Sequence, residues 1–446
     1  MNTSTATNTA TRPPVLDFLT QLRVGRPELP QSPWPGIATL RSDANARLET
    51  LRLPTLRDED WRFTDLAPLT RLSLRPAQAA HSLAPADIEP FLLDGVASRL
   101  VFVDGIYAPQ MSTPTDPARA GEALVANLPQ AMLTHAAAIE AQLGRHQSLD
   151  ANVFAALNSA SLQDAAVIVV PRNLALAAPV HLLFIATQAD VHSSPRCLLI
   201  AEAGSQATLI EDYVSLQDEA AYLINPVTEI VLAEQAQVRH VRVQRDSLKA
   251  HHIANCSVAV GRHANYQSVS VALGAQISRY NAQVLLGEAA ECAVDGLALI
   301  SGSQLADTHS FIDHARPHGV SRQLHKCIAG GSAHAVFNGR IMVRQGAQQT
   351  DSAQSNRNLL LSAKAHIDTK PQLEIFADDV KCAHGATIGQ LDPEEVFYLQ
   401  SRGLADSAAR KLLTYAFGAE VIERIHVPSL KHQLQQLMQA QTGNPS

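Results

Sequence analysis

One short segment, Lys381-Cys382-Ala383-His384-Gly385, holds a thiol and an imidazole two residues apart. In an extended strand, residues i and i+2 leave the same face about 7 Å apart. A thiolate and an imidazole suit one soft or borderline metal ion, iron and zinc included. Since tetrahedral sites need about four ligands and iron-sulfur clusters usually bind four thiolates, another chain would have to complete this site. The alternative is a structural cysteine beside a hydrogen-bonded histidine.

Other residues that bind metals elsewhere in proteins lack a metal-site spacing here. The five cysteines are Cys197, Cys256, Cys292, Cys327 and Cys382. They form no C-x-x-C pair and predict neither a disulfide framework nor a zinc finger. Five of the 18 histidines crowd into one stretch, and they are His309, His314, His318, His325 and His334. Without helical spacing to bring two imidazoles together, we expect loop-surface and strand-pairing residues rather than a metal site.

Motif absences and charge exclude several classes of protein. The dipeptide Gly-Lys, the pattern G-x-G-x-x-G and the pattern His-Glu-x-x-His do not occur, so the sequence predicts no phosphate-binding loop, dinucleotide fold or zinc protease helix. The net charge of -7, from 42 acidic and 35 basic residues, is mild. Because no run of five or more Lys and Arg is present, nucleic acid is a poor candidate partner.

The length of the chain bears on its architecture. At 446 residues it exceeds the roughly 250 to 300 at which one compact core stops growing, which predicts several domains or an elongated repeat. No apolar stretch approaches the roughly 20 residues of a membrane helix, and the start MNTSTATNTATRPP lacks the features of a secretory signal. We expect a soluble, cytoplasmic protein with a disordered N-terminal tail.

Residues 1–95 are interpreted as this tail and a helical domain. Apolar residues recur at steps of three and four, and they are Ile37, Leu40, Ala44, Leu48 and Leu51. This spacing predicts one face of an amphipathic helix, which must stop near Pro54. The following segment, DEDWRFTDLAPL at residues 58–69, places Trp61 among charged residues and is typical of a docking turn.

Residues 96–391 are interpreted as a β core with a helical excursion at about 114–160. Within it, a turn repeatedly leads through an alanine into a strand. The alanines, 26 to 29 residues apart, are Ala207, Ala236, Ala264 and Ala290. A fixed period in this range indicates a solenoid, and a parallel β-helix fits best. A large β-sandwich is the alternative.

Two details of the β core are also predicted. The alternating residues Val269, Val271 and Leu273 are expected to point into the interior of the β-helix. The period breaks after Ala290, because the next similar alanine, Ala333, follows 43 residues later. This gap predicts a His-rich insertion between the coils.

Residues 392–446 predict a C-terminal helical domain. Asp392 can cap a helix that begins at Pro393, and Gly403 can end it. A second helix, capped by Asp406, has apolar residues at every fourth position, namely Leu413, Phe417, Val421 and Ile425. Two interpretations stay open: the helices dock a partner, or they cap the open end of the β-helix.

Longer stretches of the sequence resemble the SufB/SufD family of iron-sulfur cluster assembly proteins. From Thr308 to Phe417 the likeness is continuous. Its motifs are FNGRIMV (337–343), AQQTDSAQSNRNLLLS (347–362), TKPQLEIFADDVKCAHGATIGQLD (369–392) and FYLQSRGL (397–404). DEDWRFTDL and VFVDG, nearer the N-terminus, are similar to the family pattern as well. Gly385 after His384 resembles the SufD branch, since the SufB branch carries a Glu there.

The resemblance implies a right-handed parallel β-helix between N- and C-terminal helical domains. It implies two partners, SufB at the β-helix end and the SufC ATPase at the C-terminal helices. The partner-binding residues it assigns are Asp392, Phe397, Leu399, Arg402, Leu413 and Phe417. In the family, the Cys and His of the KC-x-HG motif lie near the SufB interface, where the nascent cluster forms. The resemblance thus assigns transient iron or cluster binding to Cys382 and His384, with no cofactor stably bound by the chain alone.

Three functions are consistent with these observations. The first is a non-catalytic scaffold of the SUF iron-sulfur cluster assembly complex. The second is a self-associating structural β-helix without a metal role, which would form a homodimer in isolation. The third is a β-helix polysaccharide lyase, which needs several carboxylates in register along one coil face. Only the adjacent pair Asp378-Asp379 stands out, and neighbours in a strand point to opposite faces.

Overall fold

A computed structural model of the chain describes residues 18–23, 33–77, 83–115, 121–150 and 152–441. The disordered tail expected at the N-terminus falls on residues 1–17, outside the described residues. The chain is mainly β, with a parallel β-helix of about eight turns and helices at both ends. The predicted fold class is therefore confirmed, and the β-sandwich alternative is wrong.

Helices and strands have the following bounds. The helices before and beside the β-helix are α1 (Phe18–Arg23), α2 (Pro35–Leu48), α3 (Ala67–Thr70), α4 (Pro85–Ile88), α5 (Leu128–Gln142) and α6 (Val153–Ala160), with 3-10 turns at Glu59–Trp61, Glu89–Phe91 and Pro109–Met111. The strands are β1 (Arg75–Pro76), β2 (Ser98–Val103), β3 (Ile106–Tyr107), β4 (Leu124–Asn127), β5 (Ala166–Val170), β6 (Val180–Ala186), β7 (Val191–Ser193), β8 (Arg196–Ala201), β9 (Gln206–Ser215), β10 (Leu223–Ile224), β11 (Val227–Leu232), β12 (Gln237–Arg245), β13 (His251–Val260), β14 (Asn265–Ala272), β15 (Ile277–Leu286), β16 (Glu291–Ile300), β17 (Leu305–His314), β18 (Val320–Ala329), β19 (His334–Val343), β20 (Thr350–Leu360), β21 (His366–Ile375) and β22 (Val380–Gly389). The C-terminal helices are α7 (Pro393–Ser401), α8 (Asp406–Ile422) and α9 (Pro428–Gln441).

Two long sheets form the walls of the β-helix. Sheet A runs β4-β5-β8-β11-β13-β15-β17-β19-β21, and sheet B runs β3-β2-β6-β9-β12-β14-β16-β18-β20-β22. Along both paths neighbouring strands are parallel, except the antiparallel pairs β4 with β5 and β2 with β3. These antiparallel strands cover the first coil. At the other end β21 and β22 are the last strands of their sheets, and such uncovered edges offer unpaired backbone groups.

Small residues at one corner of the coils set the repeat. Ala236, Ala264 and Ala290 are fully buried directly before β12, β14 and β16, whose first residues are register partners. The next residue in this series is Gly319, which precedes β18, so the period continues. Ala333 occupies a corner before a strand of the other sheet. The predicted insertion is therefore wrong, because the corner accepts glycine as well as alanine.

The outer face of sheet B is apolar because the C-terminal helices cover it. Val269 and Val271 pack in one cluster with Val421 of α8 and Leu430 of α9. Leu273 belongs to the same cluster, so the prediction that Val269, Val271 and Leu273 point into the interior is wrong. On β14 the residues that join interior clusters are Tyr266 and Ala272. The interpretation of the C-terminal helices as a cap is also wrong, since they lie along the flank of the β-helix.

The N-terminal helices cover the outer face of sheet A. As predicted, α2 buries Ile37, Ala44 and Leu48, although it ends at Leu48, before Pro54. The expected docking turn is confirmed at Trp61, whose ring stacks on Phe154 of α6 with centroids 5.6 Å apart. The helical excursion predicted at about 114–160 contains the strand β4 ahead of the helices α5 and α6. Within the ranges given above, no helix is long and apolar enough to cross a membrane.

Candidate functional site

The Cys382-His384 pair lies on β22, the last strand of sheet B. Its register partners on β20 are Ser352 for Cys382 and Gln354 for His384. Ser352 and Gln354 are almost fully buried, whereas Cys382 is half-buried and His384 is exposed. The two potential ligands therefore share one strand face, as predicted, and continue a row of side chains that the preceding coil buries.

The thiol of Cys382 is not activated by its surroundings. It packs beside an apolar cluster of the last coils that includes Ile341 and Val343. Burial raises the pKa of this thiol, and the nearby Asp351 carboxylate raises it further, although the backbone of Ser352 opposes them by hydrogen bonding. Because the thiolate is the metal ligand and the nucleophile, Cys382 alone is a weak ligand near neutral pH. His384 is the more available ligand of the two.

Gln354 is a site residue that the sequence interpretation missed. It lies directly opposite His384, and the oxygen and nitrogen of its amide are both buried without a hydrogen bond to any described residue. Buried amides are almost always hydrogen-bonded, so an unpartnered one marks a special position. A Cβ atom at Gly339 would overlap the Gln354 amide nitrogen, so glycine makes room for it. The signal in the sequence was the alternation of polar residues along β20, all buried: Ser352, Gln354, Asn356 and Asn358.

The five histidines of the His-rich stretch do not converge on one another. His309 lies 3.0 Å from the Asp307 carboxylate, and His314 is buried with its Nε2 2.9 Å from the Ser321 hydroxyl. His325 is buried against the Phe337 ring. The remaining two are His318, exposed in a turn, and His334, at the start of β19.

The predicted partner-binding residues divide into exposed and half-buried side chains. Asp392, Phe397 and Arg402 are exposed, while Leu399, Leu413 and Phe417 are half-buried. As predicted, Asp392 caps α7, since its side chain accepts a hydrogen bond from the Glu394 backbone at 2.8 Å. As predicted too, Gly403 follows α7, with a positive φ of 95°. Asp406 begins α8 but makes no capping bond, contrary to the prediction.

Phe417 faces the β-helix rather than solvent. The ammonium of Lys326, on β18, lies 4.4 Å from the centre of its ring. The same ammonium donates to the Phe417 backbone oxygen at 2.8 Å and pairs with the Glu420 carboxylate at 2.5 Å. This contact attaches α8 to sheet B.

Two exposed apolar surfaces remain on the described part of the molecule. The C-terminal apolar patch consists of Phe397, Tyr398 and Leu412, which are 70%, 57% and 46% exposed. The open end consists of β21, β22 and the turn between them. It exposes Ile375, Phe376 and Ile388 by 40%, 63% and 47%. Exposed apolar side chains on adjoining elements, here α7 with α8 and β21 with β22, are candidates for protein association.

The chain is similar to proteins of iron-sulfur cluster assembly along most of its length. The family described as "SUF system FeS cluster assembly, SufBD core domain" matches residues 184–417, and "SufBD protein N-terminal region" matches residues 25–182. An iron-sulfur cluster assembly SufBD family protein of Synechocystis is 42% identical over 421 residues, which cover 90% of this chain and 90% of that protein. The iron-sulfur cluster assembly protein SufD of Escherichia coli is 34% identical over 388 residues, covering 86% and 88%. A chloroplastic protein of Arabidopsis thaliana, ABCI7, is 31% identical over 422 residues, covering 92% and 87%.

Proposed function

Because this chain belongs to the SufBD family of SUF-system iron-sulfur cluster assembly proteins, we propose that it is a non-catalytic scaffold that pairs with SufB and SufC. In this role it supports iron acquisition and formation of the nascent cluster. The observation that carries the proposal is the position of His384, exposed on the last coil beside a buried Gln354 whose amide has no hydrogen-bond partner among the described residues. Iron and the cluster are cargo, held transiently and shared with SufB.

Pairing with SufB takes place at the open end. Both strands there are ten residues long, and within the described part of the chain each has a neighbouring strand on one side only. A long uncovered strand is a template for another chain, and added strands gain affinity from backbone hydrogen bonds. The exposed side chains of Phe376 and Ile388 supply the apolar area that such an interface needs.

Docking of SufC takes place at the C-terminal apolar patch. Phe397 and Tyr398 project from α7, and Arg402 lies over the Tyr398 ring at 5.4 Å from its centre. Aromatic and arginine side chains are enriched at interface hot spots. ATP hydrolysis is assigned to SufC, consistent with the lack of a Gly-Lys phosphate loop in this sequence.

Iron is bound by His384 first. Its imidazole is a ligand suited to iron, and one ligand from this chain leaves positions for ligands from SufB. Cys382 is a secondary ligand, because its burial and Asp351 oppose thiolate formation until a metal cation arrives. The five cysteines are all free, which suits a reducing compartment, and we place the complex in the cytoplasm.

Reconstitution of the three-protein complex tests this function. The chain is coexpressed with SufB and SufC, purified without oxygen, and supplied with iron and sulfide while cluster formation is followed by visible absorption. We expect all three proteins to co-purify. A His384→Ala variant should keep the complex and lose most of the cluster absorption, and Cys382→Ser should lose less.

His318→Ala is the matched control, because His318 is an exposed histidine in the turn before β18, two strands from β22 in sheet B. It should behave as the wild type. If His384→Ala gives the same yield of cluster as the wild type, His384 has no role in metal binding. A stable homodimer that ignores SufB and SufC would instead favour the self-associating solenoid.

A further inference from the structure

A second group of ligands converges on the outer face of sheet A. His334 and His366 are the first residues of β19 and β21 and are direct register partners. Asp368 follows His366 by two positions, so both side chains leave the same face of β21. One ligand atom from each of the three residues lies within 4.8 Å of the others. The convergence comes from strand pairing, which is why crowding of histidines along the sequence did not reveal it.

The distances show one carboxylate between two imidazoles. The Oδ2 atom of Asp368 lies 2.7 Å from Nε2 of His334 and 3.2 Å from Nε2 of His366. The two imidazole rings are 5.1 Å apart between centroids. His334 and Asp368 have side chains 26% and 25% exposed, whereas His366 is 69% exposed. Two ligands are thus held by their surroundings, and the third is open to solvent.

The charged residues near the Asp368 carboxylate form ion pairs with other residues. Asp307 on β17 is the next acid among the outward-facing residues of sheet A. Its carboxylate forms ion pairs with Arg279 at 2.5 Å and with His309 at 3.0 Å. Lys370, two residues beyond Asp368, pairs with Glu59 of the N-terminal domain at 2.5 Å. Among the described residues, Arg279 and Lys370 are therefore paired with other acids, and neither forms an ion pair with Asp368.

We propose that His334, His366 and Asp368 bind one divalent transition-metal ion on the outer face of the last coil. Two imidazoles and one carboxylate are a ligand set of iron(II) and zinc sites, whereas magnesium and calcium require mainly oxygen ligands. Three protein ligands leave positions for water or for a donor from another molecule. The ion joins β19 to β21, and so it fixes the last strand of sheet A to the preceding coil.

This site is distinct from the one on β22. His384 lies on sheet B and continues the interior row, whereas the triad lies on the outside of sheet A. The proposal therefore does not depend on cluster assembly. It requires only the isolated chain.

Metal titration of the full-length, tag-free chain tests the proposal. The protein is stripped with a chelator and titrated with cobalt(II), whose absorption bands report ligands and geometry, and zinc(II) binding is measured by calorimetry. We expect one equivalent of metal, with nitrogen and oxygen ligands and no thiolate charge-transfer band. Affinity should fall at least tenfold in His334→Ala, His366→Ala and Asp368→Asn. Zinc should also raise the melting temperature of the wild type, since ligands that bind the native state stabilise it.

Two control variants separate this site from others. His318→Ala and His263→Ala each remove an exposed histidine that lies in a turn outside the triad. Both should keep the wild-type affinity. Because His366 is largely exposed, His366→Ala should fold normally, and its melting temperature without metal checks this. The proposal would be overturned if the three residues formed a hydrogen-bonded cluster that binds no metal at micromolar concentration. An equal loss of affinity in either control variant would overturn it too.

Discussion

Arg196 and Glu229 form an ion pair that is wholly buried, with Arg196 Nη2 2.5 Å from Glu229 Oε2. Glu229 also accepts hydrogen bonds from the backbone nitrogens of Gly144 and His146, at 2.8 and 3.0 Å. The pair therefore joins sheet A to the loop after α5. Removal of one member of a buried pair leaves an uncompensated charge, which costs about 3 to 5 kcal/mol. We expect Glu229→Ala to lower the free energy of unfolding by this amount, as measured by urea denaturation.

Glu234→Ala is the matched control for this prediction. Glu234 pairs with Arg262 at 3.3 Å, but both side chains are more than half exposed. Exposed pairs contribute about 0 to 1 kcal/mol, so this variant should unfold almost as the wild type does. Equal effects of the two substitutions would contradict a special role for Glu229.

His240 should make the stability of the protein depend on pH. It lies inside the β-helix, with Nε2 3.6 Å from the Glu211 carboxylate. Burial opposes its protonation, but interactions with Cys256 and Glu211 outweigh burial and raise the pKa of His240 to about 9. Since the ordinary histidine pKa is about 6.5, the stabilisation is fully present below pH 6.5 or so and is lost as the pH rises through about 9.

This prediction is tested by measuring how much His240→Gln lowers the free energy of unfolding at two pH values. We expect the substitution to lower the free energy of unfolding more at pH 6.5 than at pH 9.5, by denaturant unfolding at both. His318→Gln is the control, because it removes an exposed histidine in a turn and shows the effect of losing any one titrating histidine. The same cost of His240→Gln at both pH values would show that His240 is not protonated in the folded protein.

The β-helix was predictable because one structural position repeats in the sequence. Ala236, Ala264 and Ala290 occupy the same corner of successive coils. The period seemed to end only because Gly319 fills that corner next, and glycine is as small as the corner requires. The continuous apolar run of Leu297 to Ile300 also carried information: Leu297 packs outward and Ala298 inward, as in a strand buried on both faces.

What the sequence did not determine were contacts between distant segments. The apolar face of α8 was visible, but its partner surface on β16 and β18 lies far earlier in the chain, and the contact of Lys326 with Phe417 spans 91 residues. Likewise, the motif around His384 was recognisable, whereas Gln354 reaches it through the pairing of β20 with β22. The convergence of His334 with His366 depends on strand register in the same way.

The two apolar surfaces should bind different partners. A glutamate at an interface centre must be desolvated without a partner, which costs several kcal/mol of binding free energy. We expect Phe397→Glu to reduce SufC binding at least a hundredfold and leave SufB binding intact. Ile388→Glu should do the reverse. Pull-down of each variant with separately purified SufB and SufC measures both, and loss of both partners in either variant would contradict separate surfaces.

Cys382 should react before the other cysteines but slowly. It is the one free cysteine of the five that is not buried, so alkylating reagents should reach it first. Burial and the Asp351 carboxylate raise the pKa of its thiol, and the thiolate is the reactive form. We expect iodoacetamide at pH 8 to modify Cys382 more slowly than a peptide cysteine, with the rate increasing at higher pH. Peptide mass spectrometry identifies the site and the rate.

Asp351→Asn separates the two causes of this slow reaction. It removes the nearby negative charge with little change in shape, so the rate at pH 8 should increase while burial is unchanged. Asp379→Asn, in the turn before β22, is the control and should leave the rate as it is. If Asp351→Asn has no effect, burial alone sets the reactivity. A rate equal to that of a peptide cysteine in the wild type would mean instead that the surroundings of Cys382 do not raise the pKa of its thiol.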